Sequence, residues 1–495
     1  MMYGEEKSDS LIVAANLANN PQGAESVERR SGAKGNAEQP HMRRTQSRES
    51  MSQRLSRGRE AAKQRKKERF TALFHLLTAE ALENAFLSLS RKAAAGVDGV
   101  RWKDYAENLK VNIADLHRRL HQGSYRAQPG RRHYIPKADG KQRPLGIASL
   151  EDKIVQYALV KILNAVYEND FMGFSYGFRP GRSQHNALDA LATGLVRTNV
   201  NWVLDADISQ FFDKVSHEWL IRFIEHRIGD QRVIRLIRKW LTAGTSEEGE
   251  WRASEEGTPQ GAVISPLLAN IYLHYVFDLW AHQWRRRHAT GNVVMVRYAD
   301  DIVIGFDKRI DAQCFRIAMQ RRLKEFGLTV HPKKTRLMEF GRFAAENRAS
   351  RGKGKPETFN FLGFTHISGK DRSGRFMLIR KTRRDRMTAT LKAIKDGLRK
   401  RWHYSIPEQG KWLRRVVQGY LNYHSVPGNY PMMRKFRIYV TDLWRRALRR
   451  RSQQDDTTWT KANRLAAVWL PKVRVLHPWP VERFTARHPR QEPGA

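Results

Sequence analysis

Two carboxylates sit side by side within an apolar stretch. In Val293-Val294-Met295-Val296-Arg297-Tyr298-Ala299-Asp300-Asp301-Ile302-Val303-Ile304 two β-branched, apolar runs enclose one short polar break, which predicts a hairpin with Asp300 and Asp301 at its turn. Asp is also an ordinary turn residue, so this segment alone leaves a plain turn open. Charged groups set between apolar strands are costly unless a cation or hydrogen bonds compensate them, and a divalent metal is the candidate. A second run, Trp202-Val203-Leu204-Asp205-Ala206-Asp207-Ile208-Ser209-Gln210-Phe211-Phe212-Asp213, reads as an apolar strand delivering carboxylates at its end. Asp205 and Asp207, two apart, share one face. Carboxylates on separate strands can hold two cations ~3.5–4 Å apart, one activating an attacking oxygen and one supporting the leaving group of a phosphoryl transfer. Mg²⁺ suits such an all-oxygen set.

The elements that must position these groups are legible in outline. Arg132 to Lys137 and Arg143 to Ile147 flank Ala138-Asp139-Gly140-Lys141, predicting a hairpin with basic residues near its tip. Leu82, Ala85, Phe86 and Leu89 recur at helical spacing. In Ser265-Pro266 the serine can cap a helix and proline suits its first turn; that helix is expected to run through Leu268, Ile271, Tyr272, Phe277 and Trp280, with the aromatics in the core. From Ile379 to Arg451 the chain reads as mostly helical and very basic. Leu413, Val416 and Tyr420, then Phe436, Val440, Leu443, Trp444 and Leu448, recur at helical intervals, while Arg414, Arg415, Arg434, Arg445, Arg446, Arg449, Arg450 and Arg451 occupy the other faces. Strands alternating with helices, then a helical block, predict an α+β fold followed by an α-helical domain.

Charge narrows the partners. The 495 residues carry 90 Lys and Arg against 50 Asp and Glu, a formal charge of +40, and such an excess calls for a polyanion, foremost nucleic acid. The single cysteine, Cys314, excludes an internal disulfide framework and a zinc finger. No stretch approaches ~18 uninterrupted apolar residues, and the N-terminus lacks a secretory pattern, so neither a membrane span nor export is expected. Residues 1 to about 40 lack periodicity and read as a mobile leader. Residues 43–69, rich in Arg, Lys, Ser, Gln and Glu, read as a polar helix or a tail that orders on an anionic partner, or else as a solvated arm.

Tyr298-Ala299-Asp300-Asp301 resembles the YxDD turn of reverse transcriptases. It follows Asp207-Ile208-Ser209-Gln210-Phe211-Phe212 and Gly257-Thr258-Pro259-Gln260-Gly261-Ala262-Val263-Ile264-Ser265-Pro266, in the order of that family's palm motifs. Arg143-Pro144-Leu145-Gly146-Ile147, Ser175-Tyr176-Gly177-Phe178-Arg179-Pro180-Gly181-Arg182-Ser183 and Phe361-Leu362-Gly363-Phe364 extend the resemblance over roughly residues 75 to 370. It implies catalytic and metal-binding roles for Asp207, Asp300 and Asp301, with two Mg²⁺ ions, whereas Asp205 falls off the matching spacing. It further implies that Phe212 is the steric gate under the sugar and that Gln260 lines the nucleotide site. Lys137 and Arg143 would meet the triphosphate, with an exposed turn cation as the other reading. Lys334 would protonate pyrophosphate, although Lys333 adjoins it.

Arg380-Lys381-Thr382-Arg383-Arg384, Gly419 to Asn429, Leu448-Arg449-Arg450-Arg451-Ser452 and His477-Pro478-Trp479-Pro480-Val481-Glu482-Arg483-Phe484 resemble the maturase domain, domain X, of group II intron-encoded proteins of the bacterial type. The implied architecture is a right-hand polymerase, its fingers and palm built with an antiparallel palm sheet, followed by an α-helical thumb. Its expected parts are a basic leader (1–70), fingers (71–190), palm (191–370), helical thumb and maturase domain (371–470) and a tail (471–495). The expected function is RNA-directed DNA synthesis combined with assistance to splicing and retrohoming, in a bacterial cytoplasm. The implied partners are intron RNA, an RNA template with a DNA primer, dNTPs, and target DNA reached through the ribonucleoprotein. Arg383, Arg384, Arg449, Arg450 and Arg451 are the expected RNA contacts; Trp402, Tyr420 and Tyr423 would stack on nucleic acid or pack in the core, and His477 reads as structural. Only eleven residues follow Phe484, so the HNH endonuclease of many relatives is not expected. The competing readings are a retron, diversity-generating or CRISPR-linked reverse transcriptase, or a splicing cofactor without polymerase activity.

Overall fold

The computed structural model describes residues 51–136, 142–247, 249–451 and 457–487. The described residues divide into two compact units, those up to Phe171 with Phe212–Trp280, and Met172–Phe211 with those from Ala281 on. Both mix helices with sheets in which nearly all strands run antiparallel.

The first unit surrounds the helix Leu150–Tyr167, whose Ile154, Val155, Leu159, Ile162, Leu163 and Val166 are buried. Ser149 caps it by accepting from the Asp152 amide. The Asp152 carboxylate is buried and accepts from the Tyr125 hydroxyl, Ser149 Oγ, the Gln128 amide and Trp240 Nε1, which replace its lost hydration. Gly130–Pro136 and Gln142–Ile147 form the expected hairpin, in register from Arg131↔Ile147 to Pro136↔Gln142; its tip, with Lys137, lies outside the described residues. Within the basic segment read as a polar helix, an ordering tail or a solvated arm, Met51–Gln64 is a helix. The buried Arg227 fastens its C-terminal end, donating to the carbonyls of Ala62, Arg65 and Glu68 while pairing with Asp170 at 2.8 Å. Ala62 belongs to the last turn of the helix, where carbonyls lack partners within the helix.

One expected cap is not formed. The helix Ser265–Leu273 begins at Ser265 itself, with Pro266 in its first turn, and the serine hydroxyl donates to the Pro259 carbonyl at 2.9 Å instead of capping. The helical run is also interrupted, by a π-helical turn at His274–Asp278 before Leu279–Arg287. Tyr272, Phe277 and Trp280 are buried as expected.

The second unit is organised on a four-stranded sheet, in the order Val293–Tyr298, Asp301–Phe306, Trp202–Asp207, Arg336–Glu339. Register places Val203, Val296, Val303 and Met338 on one face, against Leu188, Leu191 and Leu195 of the helix Gln184–Arg197. The two-residue alternation of strands then puts Asp205, Asp207, Asp301 and Tyr298 at the end of that same face. A three-stranded sheet follows, Phe376–Thr382, Phe364–Lys370, Phe359–Phe361. The basic region is therefore not helical from Ile379: Ile367↔Ile379 and His366↔Arg380 pair across a hairpin, and the helix begins at Arg384. Beyond it, the helices Arg384–Arg399, Ile406–His424 and Tyr430–Arg449 share a core of Met387, Ile394, Leu413, Val417, Phe436 and Trp444. Among the described residues no helix is long and apolar enough to cross a membrane.

Candidate active site

The hairpin that carries the paired carboxylates turns in two residues, Ala299 and Asp300, between Tyr298 and Asp301. Two-residue hairpin loops need backbone in the left-handed region, and Ala299 adopts it, with φ of +56°. Its side chain makes that conformation unfavourable, so the surroundings must hold it. Arg297, fully buried in the preceding strand, donates from Nη1 to the Ala299 carbonyl at 3.1 Å and from Nη2 to Ser175 Oγ at 2.7 Å. The backbone of Phe174 to Tyr176 runs alongside, with Arg297 N donating to the Phe174 carbonyl and Tyr176 N to the Arg297 carbonyl. Gly177 completes the support: a Cβ there would lie 2.3 Å from the Ala299 amide nitrogen, so only glycine allows this approach.

Asp207 lies directly opposite Asp301 across adjacent strands. The carboxylates stand at the strand ends, Asp301 open to solvent and Asp205, Asp207 and Asp300 half-exposed, rather than enclosed between the strands. Even so, desolvation by the surrounding protein, then Asp300, Asp207 and Asp205, push Asp301 up to about 7, with Lys334 opposing. Asp205 is pushed up to about 6, chiefly by desolvation, with Arg336 and Arg383 opposing and Asp207 adding to the rise. Lys334 Nζ is 2.9 Å from Asp207 Oδ2. Its loop is pinned along the end of the Trp202–Asp207 strand, because His331 N donates to the Asp207 carbonyl at 2.7 Å and Ser209 N to the Thr329 carbonyl at 2.8 Å.

This arrangement concentrates negative charge on hard oxygen donors that repel one another, a condition relieved by a divalent cation. The donor chemistry fits Mg²⁺. Among the described residues no three His, Cys, Asp or Glu side chains are yet gathered around one point, and the Lys334 ammonium supplies the nearest positive charge at Asp207.

The remaining sequence-predicted residues fall into separate places. In the first unit, Gln260 Nε2 donates to Asp213 Oδ1 at 2.8 Å, and Thr258 N donates to the Phe212 carbonyl at 2.7 Å, so Phe212 and Gln260 belong to one assembly. Gly146 N donates to the Gln260 carbonyl at 2.7 Å, tying that loop to the strand bearing the exposed Arg143. In the second unit, Arg383 is held by Asp385 through bonds of 3.0 and 2.7 Å, and Arg384 is exposed at its helix start. Arg449 and Arg450 are exposed at a helix C-terminus, whereas Arg451 donates to the Tyr404 carbonyl. Tyr420 stacks on Phe436 at 3.6 Å, and the Tyr423 hydroxyl donates to the Leu362 carbonyl. Trp402 is half-exposed. His477 stacks on His185 at 4.0 Å and hydrogen-bonds Asn422 and Arg483.

Residues 135–366 match the reverse transcriptase (RNA-dependent DNA polymerase) family. The chain carries a reverse transcriptase domain. Protein YkfC of Escherichia coli (strain K12) is 43% identical over 206 residues, 41% of this chain and 54% of its own length. The group II intron-encoded protein LtrA of Lactococcus lactis subsp. cremoris is 38% identical over 208 residues, 41% of this chain and 34% of its own. The putative COX1/OXI3 intron 1 protein of Saccharomyces cerevisiae is 26% identical over 393 residues, 66% of this chain and 46% of its own. The chain thus spans about half the length of these curated relatives, or less. The carboxylates and Lys334 all lie inside the matched residues.

Three residues of the reverse transcriptase domain escape the motif reading. Asp205 belongs to the carboxylate group despite its spacing. Arg297 carries a sequence signal, a charge inside an apolar strand, whose meaning emerges only with Ser175 beside it. Asp213, the partner of Gln260, carries none.

Proposed function

We propose that the chain is an RNA-directed DNA polymerase encoded by a group II intron, which also acts as a maturase on its intron RNA. The observation that carries the reading is the opposition of Asp207 and Asp301 beneath the Tyr298–Asp301 turn, inside the matched domain. Asp207, Asp300 and Asp301 would hold two Mg²⁺ ions, which supply Lewis-acid activation of the α-phosphate and of the primer 3′ oxygen. Lys334, whose ammonium is 2.9 Å from Asp207, would give a proton to the departing pyrophosphate. Lys137 and Arg143 would meet the triphosphate as fixed cations. Phe212 would exclude a ribose 2′-hydroxyl by bulk, and Gln260, oriented by Asp213, would line the nucleotide site.

In this reading the α+β fold is that of a right-hand polymerase, with a basic leader over 1–70, fingers over 71–190, palm over 191–370, a helical thumb and maturase domain over 371–470 and a tail beyond. Arg383, Arg384, Arg449, Arg450 and Arg451 are its RNA contacts, intron RNA its principal partner, and target DNA is reached through the ribonucleoprotein in a bacterial cytoplasm. The test is extension of a DNA primer on an RNA template with Mg²⁺. The wild type should extend it, and Asp207→Ala or Asp300→Ala should abolish extension while binding RNA normally. Extension by either variant at more than a few per cent of wild type overturns the assignment.

A further inference from the structure

Between the helices Trp459–Trp469 and Pro480–Arg487 the chain forms a strap without helix or strand. Both ends of the strap are tied. Arg437 Nε donates to the Pro471 carbonyl at 3.1 Å, and the Leu476 amide donates to the Ser425 carbonyl at 3.0 Å. In between, Val473 packs against the helical core, while the backbone of Lys472 to Val475 makes no hydrogen bond to any described residue. Strap and helix enclose a cleft of about 380 Å³. Gln418, Leu421 and Ser425, spaced three and seven apart, share one side of the helix Ile406–His424 and its cap and form one wall. Lys472, Arg474 and Leu476 form the other.

The chemistry of the two walls defines what fits between them. Lys472 and Arg474 are exposed, and neither has an acidic partner among the described residues. From Gln409 to Val481 the described residues hold one acid, Asp442, and it is taken by Arg445 and Arg446 at 3.0 and 2.7 Å. A solvated surface normally interleaves both signs, so this one is set for an anion from outside. Gln418 spends one N–H on Asn422 Oδ1 at 2.7 Å, which leaves its carbonyl oxygen and second N–H for a ligand. Leu421 and Leu476 add apolar surface. An unpaired nucleotide combines phosphates on either side, a flat base with apolar faces, and an edge whose donors and acceptors no partner strand engages. A base inside a duplex has that edge occupied, and an acidic peptide brings the charge without the flat body.

We propose that this cleft binds one unpaired nucleotide of an RNA strand, with the base between Leu421 and Leu476, its edge on Gln418, and its flanking phosphates on Lys472 and Arg474. The site rests on the maturase reading above and adds to it that a loop or bulge of the RNA, not a helix, is gripped here.

The experiment uses the full chain and two RNA probes of equal length, an unstructured single strand carrying 4-thiouridine and a fully paired duplex. It compares the wild type with Lys472→Ala/Arg474→Ala and with Gln418→Leu, which keeps the charge and approximate size but removes the hydrogen bonds. Affinity is measured at several salt concentrations, photocrosslinks are mapped by mass spectrometry, and hydrogen exchange is followed in the strap. The double variant should bind the single strand about tenfold more weakly, with a salt slope lower by ~0.7 for each phosphate released, and the duplex within about twofold of wild type. Gln418→Leu should lose about fivefold on the single strand, the scale of one hydrogen bond, at an unchanged slope. Wild-type crosslinks should fall on the peptides carrying Gln418 to Ser425 and Lys472 to Leu476, and the single strand should slow exchange in the strap. Crosslinks confined to other peptides overturn the proposal, as do equal losses on both probes, because the cations then form a patch without a reading cleft. Protection of the strap by poly-glutamate but not by the single strand assigns the cleft to an acidic peptide and also overturns it. A wild type that binds neither probe removes this site together with the maturase reading. A wild type that binds RNA, matched on the single strand by both variants, removes this site alone.

Discussion

Asp207 and Asp301 pair directly across adjacent antiparallel strands, so their carboxyl groups share one face at the same level of the sheet. Loss of hydration raises the Asp301 carboxyl first, and repulsion by Asp300, Asp207 and Asp205 adds to it.

Asp301→Asn should therefore stabilise the protein at pH 8 when no divalent cation is present. The folded-state carboxyl is raised to about 7 from an ordinary value of 3.8. Between those values the folded protein holds a proton that the unfolded chain lacks, so the wild type loses stability as pH rises through that window. The gain in melting temperature from Asp301→Asn should be largest above pH 7 and should vanish near pH 4. Added Mg²⁺ should raise the melting temperature of the wild type more than that of the variant. Thermal melts at pH 8 and pH 5, with and without Mg²⁺, check this; a pH-independent difference, or equal Mg²⁺ effects, would contradict it.

Gly177→Ala should damage catalysis more than folding. Its methyl group would lie 2.3 Å from the Ala299 amide nitrogen, and the turn is the softer partner because Phe174 to Tyr176 are tied to Arg297 by backbone bonds. Overpacking of this kind costs about 1–3 kcal/mol. A shift of about 1 Å in the turn can lower kcat on the order of 100-fold. Single-turnover extension beside a denaturation curve separates the two effects; a variant with wild-type kcat would show that Gly177 does not set the turn.

How far the sequence reveals this site depends on the range of each contact. The Val293–Ile304 hairpin is legible because two apolar runs with one polar break leave few other folds, and the same holds for Trp202–Asp207. Arg297 is visible as an oddity, but its partner Ser175 is 122 residues away in the chain, so its task is invisible without the fold. Asp205 is passed over by motif spacing, although strand alternation alone puts it with Asp207. Ser265 misleads because one serine suits both a cap and the first helical turn. The short apolar run at Met377–Ile379 fits helix or strand by composition, and its pairing with Phe364–Lys370 decides the outcome.

Asp189→Ala should destabilise the second unit by about 3–5 kcal/mol, the usual consequence of leaving a buried charge without its partner. Asp189 is buried between Arg380, 3.7 Å away, and Arg483, which donates to it from the helix Pro480–Arg487. Burial already depresses Arg380 to about 10, so it has little other compensation. Urea denaturation measures the loss, and limited proteolysis should cut first in the segment around Arg483. A loss below about 1 kcal/mol, the range of exposed pairs, would show that the three groups do not act as a buried network.

Splicing and polymerisation should be separable by two variants of the same chain. Holding folded RNA requires cations against its phosphates and no metal carboxylates, so Asp300→Ala should splice nearly normally while synthesising no cDNA. Arg449→Ala with Arg450→Ala removes two exposed cations from the end of the helix Tyr430–Arg449, and it keeps the bond of Arg451 to the Tyr404 carbonyl. The paired change should weaken intron RNA binding and flatten its salt dependence by a slope of ~0.7–0.9 for each phosphate left unneutralised. Extension of a short primer on an unstructured template should suffer less, because the carboxylate sheet is untouched. Filter binding at several salt concentrations, a splicing assay and primer extension on both variants decide the matter. If Asp300→Ala fails to splice while folded, or the arginine variant keeps wild-type affinity and salt slope, the catalytic sheet and the basic helix end do not divide the two functions.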